Sequence, residues 1–134
     1  MFKVVRKDAH GRLLSCATEN PKLVVEYRPS LWTEARIGGL LVFMDYSAAE
    51  IFAGAVSIGT TESFEIWLRE VSDQVRLPEF SLTRTDRTDA VELLWRSKDV
   101  RAIKHLIRPA RLEFWPEGTV AYRRVKLIER AEKQ

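Results

Sequence analysis

The sequence is poor in the residues from which catalytic and metal sites are most often built. It has one cysteine, Cys16, and two histidines, His10 and His105. One cysteine makes no intrachain disulfide, so nothing calls for an oxidising compartment. A structural zinc site takes four Cys or His ligands, more than the chain holds, and no metal or other cofactor is expected. Glycine is scarce at six residues, and only Gly38-Gly39 are adjacent. A strand-like run follows that pair, so no glycine-rich phosphate loop opens a helix. GxGxxG, GxxxxGK[ST], GxSxG and HExxH are all absent, which removes the common nucleotide, hydrolase and metalloprotease signatures. The longest near-apolar run, Ile37 to Met44, is far below the ~20 residues of a membrane span. The first residues, Met-Phe-Lys-Val-Val-Arg-Lys-Asp, carry no apolar segment of signal-peptide length. The expectation is a cytoplasmic protein.

What is present fits one globular unit. The 134 residues are 46% hydrophobic and 31% charged, enough to bury a core and enough to keep the surface wet. A single domain over residues 1–134 is expected. The charge is uneven. Residues 1–67 hold seven Lys/Arg and eight Asp/Glu, whereas residues 68–134 hold fifteen and eleven, and arginine outnumbers lysine fifteen to seven. Arginine is the better side chain for planar, two-pronged contacts with carboxylate or phosphate.

Strand-type runs dominate. Phe2 to Arg6 and Arg12 to Thr18 flank Lys7-Asp8-Ala9-His10-Gly11, a hairpin turn in which Gly11 supplies the positive φ. Glu19-Asn20-Pro21 reads as a second turn and Lys22 to Arg28 as a third strand. Pro29 to Gly39 reads as irregular, and Leu40 to Met44 as a central strand covered on both faces. Ser47-Ala48-Ala49-Glu50 matches a capping box, and Gly54 suits the position that ends a helix, which predicts a helix over 48–53. Glu65 to Val71 and Gln74 to Leu82 read as two strands, the second disturbed by Pro78. Residues 86–96 fit a helix, although Val91 to Trp95 alone also fits a buried strand. Asp99 to Ile107 predicts a further helix, and Leu112 to Trp115 and Thr119 to Glu129 the last strands. The fold class is α+β: a mostly antiparallel sheet of about seven strands with two or three short helices.

Cys16 sits in the apolar run Leu13 to Ala17 and is expected as a core thiol rather than a nucleophile. His10 falls at the hairpin tip, and neither histidine has an acid placed to orient it as a base. No catalytic residue is assigned. The one feature that suggests binding is a basic run. Arg96, Lys98, Arg101, Lys104, Arg108 and Arg111 lie within sixteen residues, with His105 among them and Asp99 as the only acid. On a helix Arg101, Lys104 and Arg108 share a face, which can neutralise phosphates. Trp95, Phe114 and Trp115 flank the run as stacking surfaces. The competing reading is the solvated face of an amphipathic helix with two core tryptophans. Partners follow in that order: a protein partner or self-association first, through Trp32, Trp115 or an edge strand, then nucleic acid.

Two resemblances add expectations. Ile37-Gly38-Gly39-Leu40-Leu41-Val42-Phe43, a polar turn and Ala48-Ala49-Glu50-Ile51-Phe52-Ala53 resemble a GLxVF…AxxFA pattern of small uncharacterised phage, archaeal and bacterial domains. Pro116-Glu117-Gly118-Thr119-Val120 and Val125-Lys126-Leu127-Ile128 resemble the close of that group, to which no activity is attached. The strand and short helix are also distantly similar to the ADP-ribosyltransferase fold. That resemblance implies NAD bound by an Arg or His on an early strand, here Arg6, with an aromatic or Ser on a middle strand and a late catalytic Glu. Glu79 lacks the flanking pattern of that glutamate, and the other position has no counterpart. The expectation is a non-enzymatic binding protein, with an NAD-using transferase as the alternative.

Overall fold

The computed structural model describes residues 1–16, 22–58, 60–83, 88–99, 101 and 111–132. Strand β1 (Phe2–Lys7) turns back into β2 (Leu13–Leu14) through the expected hairpin. Gly11 takes φ 79°, and its amide closes on the Asp8 carbonyl at 3.1 Å. The Asp8 carboxylate accepts the amides of His10 and Arg12, each at 2.9 Å, so the turn is locked by its own aspartate. Strand β3 (Glu26–Tyr27) pairs with β2. Both are shorter than the runs 12–18 and 22–28 suggested, and the Glu19–Pro21 turn lies outside the described residues.

The segment 29–39 is not wholly irregular, because β4 (Trp32–Glu34) forms within it and pairs with the end of the chain. Strand β5 (Leu40–Phe43) is buried at all four residues, as a doubly covered strand should be. Helix α1 (Tyr46–Val56) corrects both predicted ends. Its cap is Asp45, whose carboxylate accepts the Ala48 amide at 2.8 Å, not Ser47. The aspartate is the first polar side chain in extended backbone after β5, so the helix starts there. Nor does Gly54 end it. One glycine in a helix costs only about 0.5–1 kcal/mol, and the helix runs on until Ser57 closes on Ala53 at 3.1 Å.

Strand β6 (Ser63–Val75) is one strand of thirteen residues where two were expected. Polar Ser72-Asp73 separates the two expected runs, but the register with β9 is kept from Ser72 to Gln74 although Asp73 takes φ 61°, and the register shifts instead between Leu68 and Arg69. A short pair follows, β7 (Ser81–Thr83) with β8 (Arg111–Glu113). Between them lies helix α2 (Thr88–Ser97), which settles Val91 to Trp95 as helical. Strand β9 (Thr119–Arg130) closes the chain.

The main sheet has seven strands, all neighbours antiparallel, and it closes on itself. Strand β6 pairs with β1 along one edge and β9 along the other, while β5 pairs with both β1 and β9. The four-strand ring is sealed by the pair Phe2 and Phe43. Below that seal β2 and β3 extend β1, and β4 extends β9. The Thr33 hydroxyl donates to the Glu26 carbonyl at 3.5 Å, which draws β4 toward β3. Closure removes the free edges of the four-strand ring and leaves β3 and β4 as the ends of the sheet. Val5, Leu13, Tyr27, Leu40, Val42, Val125 and Leu127 fill the interior. Each such side chain contributes about 1.5–3 kcal/mol when fully buried.

Two further layers pack outside. Helix α1 covers Val4 and Phe43, with Phe52 stacked at 4.8 Å from the Phe43 ring. Trp95 of α2 lies directly over Gly38, which has φ 66°. A Cβ there would fall 2.1 Å from the Trp95 ring, so only glycine fits. Trp115 packs on Trp95 at 5.9 Å and donates its indole N–H to the Pro78 carbonyl at 2.9 Å. No helix among the described residues is long and apolar enough to cross a membrane.

Candidate functional site

The basic run is only partly described. Arg96 ends α2 and pairs with Glu92 at 3.5 Å. Lys98 lies 5.1 Å over the Trp95 ring and bonds the Trp95 carbonyl. Desolvation, then the nearby Arg76 charge, lowers its pKa. Arg101 is exposed and clamped on Asp99 at 2.9 Å. Lys104, His105 and Arg108 lie outside the described residues, as does most of the expected helix 99–107, and Arg111 sits in β8. Trp115 is half-buried and pinned at both its ring and its N–H, which makes it a packing residue. Phe114, by contrast, is 82% exposed beside Phe80.

The other singled-out residues are also placed. The Cys16 thiol donates to the Val4 carbonyl at 3.4 Å, and burial pushes its pKa up to about 11. That is an unreactive thiol. Arg6 lies on the α1 side of β1, with Val4, by strand alternation. It donates to the Ser15 carbonyl at 3.0 Å and pairs with Glu62 at 3.1 Å. Glu79 is exposed in the link between β6 and β7. No group of three or more His, Cys, Asp or Glu among the described residues can hold a metal ion.

The concavity lies elsewhere, at the mouth of the barrel. A broad cleft of about 430 Å³ opens between the β1–β2 hairpin, β3, the start of β6 and the end of β9. That volume is within the usual range for a ligand site. Lys7, Arg12, Arg28 and Arg130 stand around it with His10 at the rim, and Leu13, Tyr27 and Trp67 supply its apolar surface. Strand register explains the arrangement. Val5 and Lys3 pair with Glu65 and Trp67, so these four side chains share the interior face.

Glu65 is the hub. It is nearly buried, and its carboxylate accepts the Trp67 indole N–H at 3.1 Å. Lys7 and Arg130 approach it at 3.8 Å from opposite strands. Arg28 sits 3.5 Å from Glu26, and Arg12 is held at 2.7 Å by Asp8. Four cations therefore converge on one opening, and three of them make only long ion pairs. The exposed Arg28–Glu26 pair is worth about 0–1 kcal/mol, so an incoming anion displaces it at little cost, whereas the nearly buried Glu65 keeps Lys7 and Arg130 beside it. No serine, threonine or cysteine is among the described residues that line the cleft, and Tyr27 brings the one hydroxyl there.

Deeper in the barrel, Lys3 is 5% exposed. Its ammonium donates to the Leu41 carbonyl at 2.7 Å and lies 5.3 Å over the Tyr27 ring. Burial brings its pKa down to about 8. The Tyr27 hydroxyl and the Arg69 Nε are buried with no hydrogen-bond partner, and burial holds the Tyr27 pKa well above its ordinary value. The barrel mouth thus holds four cations paired with Glu65, Glu26 and Asp8, and Lys3 is a buried cation in the interior.

The cleft residues were not visible in the sequence, because Lys7, Arg12, Arg28, Glu65 and Arg130 are scattered over the whole chain. The excess of arginine was the only advance signal. Comparison with family models, with curated proteins and with solved structures finds no match to this chain.

Proposed function

We propose that this protein is a non-catalytic binding module that takes an anionic group of its partner into the cleft at the barrel mouth. The observation that carries the reading is the convergence of Lys7, Arg12, Arg28 and Arg130 on one opening. Their carboxylate partners keep the cations in place in the free protein, and Arg28, held only at 3.5 Å by Glu26, is the one most readily turned to a ligand. Arginine suits the task, since its planar fork meets phosphate or carboxylate with two hydrogen bonds. The lone cysteine, tied to a backbone carbonyl, fits a reducing compartment such as the cytoplasm.

A binding role also fits what the cleft contains. Glu65 is occupied by Trp67, Lys7 and Arg130, so it serves as an anchor for the two cations rather than as a free base. The test is a salt series on a fluorescein-labelled polyphosphate, read by anisotropy. The triple variant Arg12→Ala, Arg28→Ala, Arg130→Ala should lose most of the affinity, and Arg101→Ala should retain it. Equal loss in both, or none in either, would move the contact away from the barrel mouth.

A further inference from the structure

We infer that the ligand of this cleft is a single-stranded nucleic acid, which continues from the cleft onto Trp32. The inference rests on the anionic reading of the cleft and adds the chemical class. Its starting point is an exposed tryptophan. Trp32 sits in β4 and is 45% exposed, beside Leu31 at 58%. Arg124 and Lys126 of β9 lie over its ring, 5.6 and 5.0 Å from the centroid. Each of those cations also touches an acid, Asp73 at 3.2 Å and Glu70 at 3.1 Å. An exposed aromatic ring set among cations is the unit from which sequence-tolerant single-strand sites are built.

The platform is continuous with the cleft. Arg28 and Pro29 line the cleft, and the chain turns at once into β4. The Leu31 amide donates to the Arg28 carbonyl at 3.0 Å, with Ser30 at φ 69°. Such a turn keeps its end Cα atoms within about 7 Å, and one more residue adds about 4 Å. Arg28 and Trp32 are therefore within about 11 Å at the backbone, a span of one or two nucleotides. A strand with its phosphates at Arg12, Arg28 and Arg130 brings its next base to Trp32.

The shape disfavours duplex, because the cations line a concavity rather than a convex surface that enters a groove. An acidic peptide would use the cations but would draw no stacking energy from the Trp32 face.

The experiment compares labelled dT12, labelled polyphosphate and a labelled twelve-residue polyglutamate on wild type, Trp32→Ala and Trp32→Phe. Circular dichroism and melting confirm that each variant folds. Trp32→Ala should weaken dT12 about tenfold, Trp32→Phe should restore most of it, and polyphosphate should be unaffected by either. Unchanged dT12 affinity in Trp32→Ala would overturn the inference. So would polyglutamate that binds as tightly as dT12 and weakens equally in Trp32→Ala. If polyphosphate binds through the cleft and dT12 does not, the anionic cleft stands and the nucleic-acid assignment falls.

Discussion

Lys3→Met removes a charge from the barrel interior while nearly keeping its shape. The wild-type ammonium is buried, with one carbonyl and one aromatic face as its partners. Desolvation lowers its pKa from 10.5 to about 8. At about 1.4 kcal/mol per pH unit this corresponds to about 3 kcal/mol. Between pH 8 and 10.5 the unfolded chain binds more protons at this residue than the folded one. The lysine's destabilising contribution is therefore complete below pH 8 and fades as the pH rises to 10.5. The variant loses the hydrogen bond to Leu41, a cost of about 1–2 kcal/mol that does not follow the same curve. Urea unfolding of both proteins from pH 7 to 10.5 isolates the effect as a difference. Lys3→Met should be more stable by about 1–2 kcal/mol at pH 7, and a fall of about 3 kcal/mol in that difference should leave it the less stable protein, by about 1–2 kcal/mol, at pH 10.5. A difference that stays flat with pH would refute the argument that this ammonium is uncompensated.

Three further perturbations test other parts of the fold. Gly38→Ala forces a side chain into positive φ and into the Trp95 ring. It should cost about 2–5 kcal/mol and erase much of the near-ultraviolet tryptophan signal. Asp45→Ala should cost about 1 kcal/mol by chemical denaturation, whereas Ser47→Ala should stay within about 0.5 kcal/mol; the reverse order would return the cap to Ser47. With its pKa near 11, the Cys16 thiol should react with iodoacetamide at pH 8 roughly a hundredfold more slowly than a free cysteine, and the rate should climb with pH until about 11.

Local chemistry was legible where it acts over a few residues. Gly11 and Asp8 spell out the first hairpin, and the unbroken Leu40 to Phe43 run announces a strand covered on both sides. The position of α1 was clear from the capping-box pattern and Gly54, but its ends were not. Ser47 with Glu50 resembles a capping box as well as Asp45 serves as a cap, and only the exit direction of β5 decides between them. Ring closure left no local trace. It depends on the pairing of Phe2 with Phe43 and on β6 keeping two partners at once, which are contacts between distant residues. Ser72-Asp73 looked like a break for the same reason, since β9 holds that strand together across it. The cleft was hidden most deeply. Its cations stand at strand ends from residue 7 to residue 130, whereas the dense run 96–111 draws the eye because its charges are neighbours in sequence. Lys3 carried a signal too, a lone cation in a run of Phe and Val, but nothing local says that its face is the inside of a barrel.

The most direct test of the cationic mouth is the salt dependence of polyphosphate binding in wild type and in the Arg12, Arg28 and Arg130 triple alanine variant. Each lost phosphate contact should reduce the slope of log K against log salt by about 0.7 in magnitude, so the triple variant should lose about two. A variant that keeps the wild-type slope and affinity would contradict the account, because the anion would then be held by charges outside the cleft.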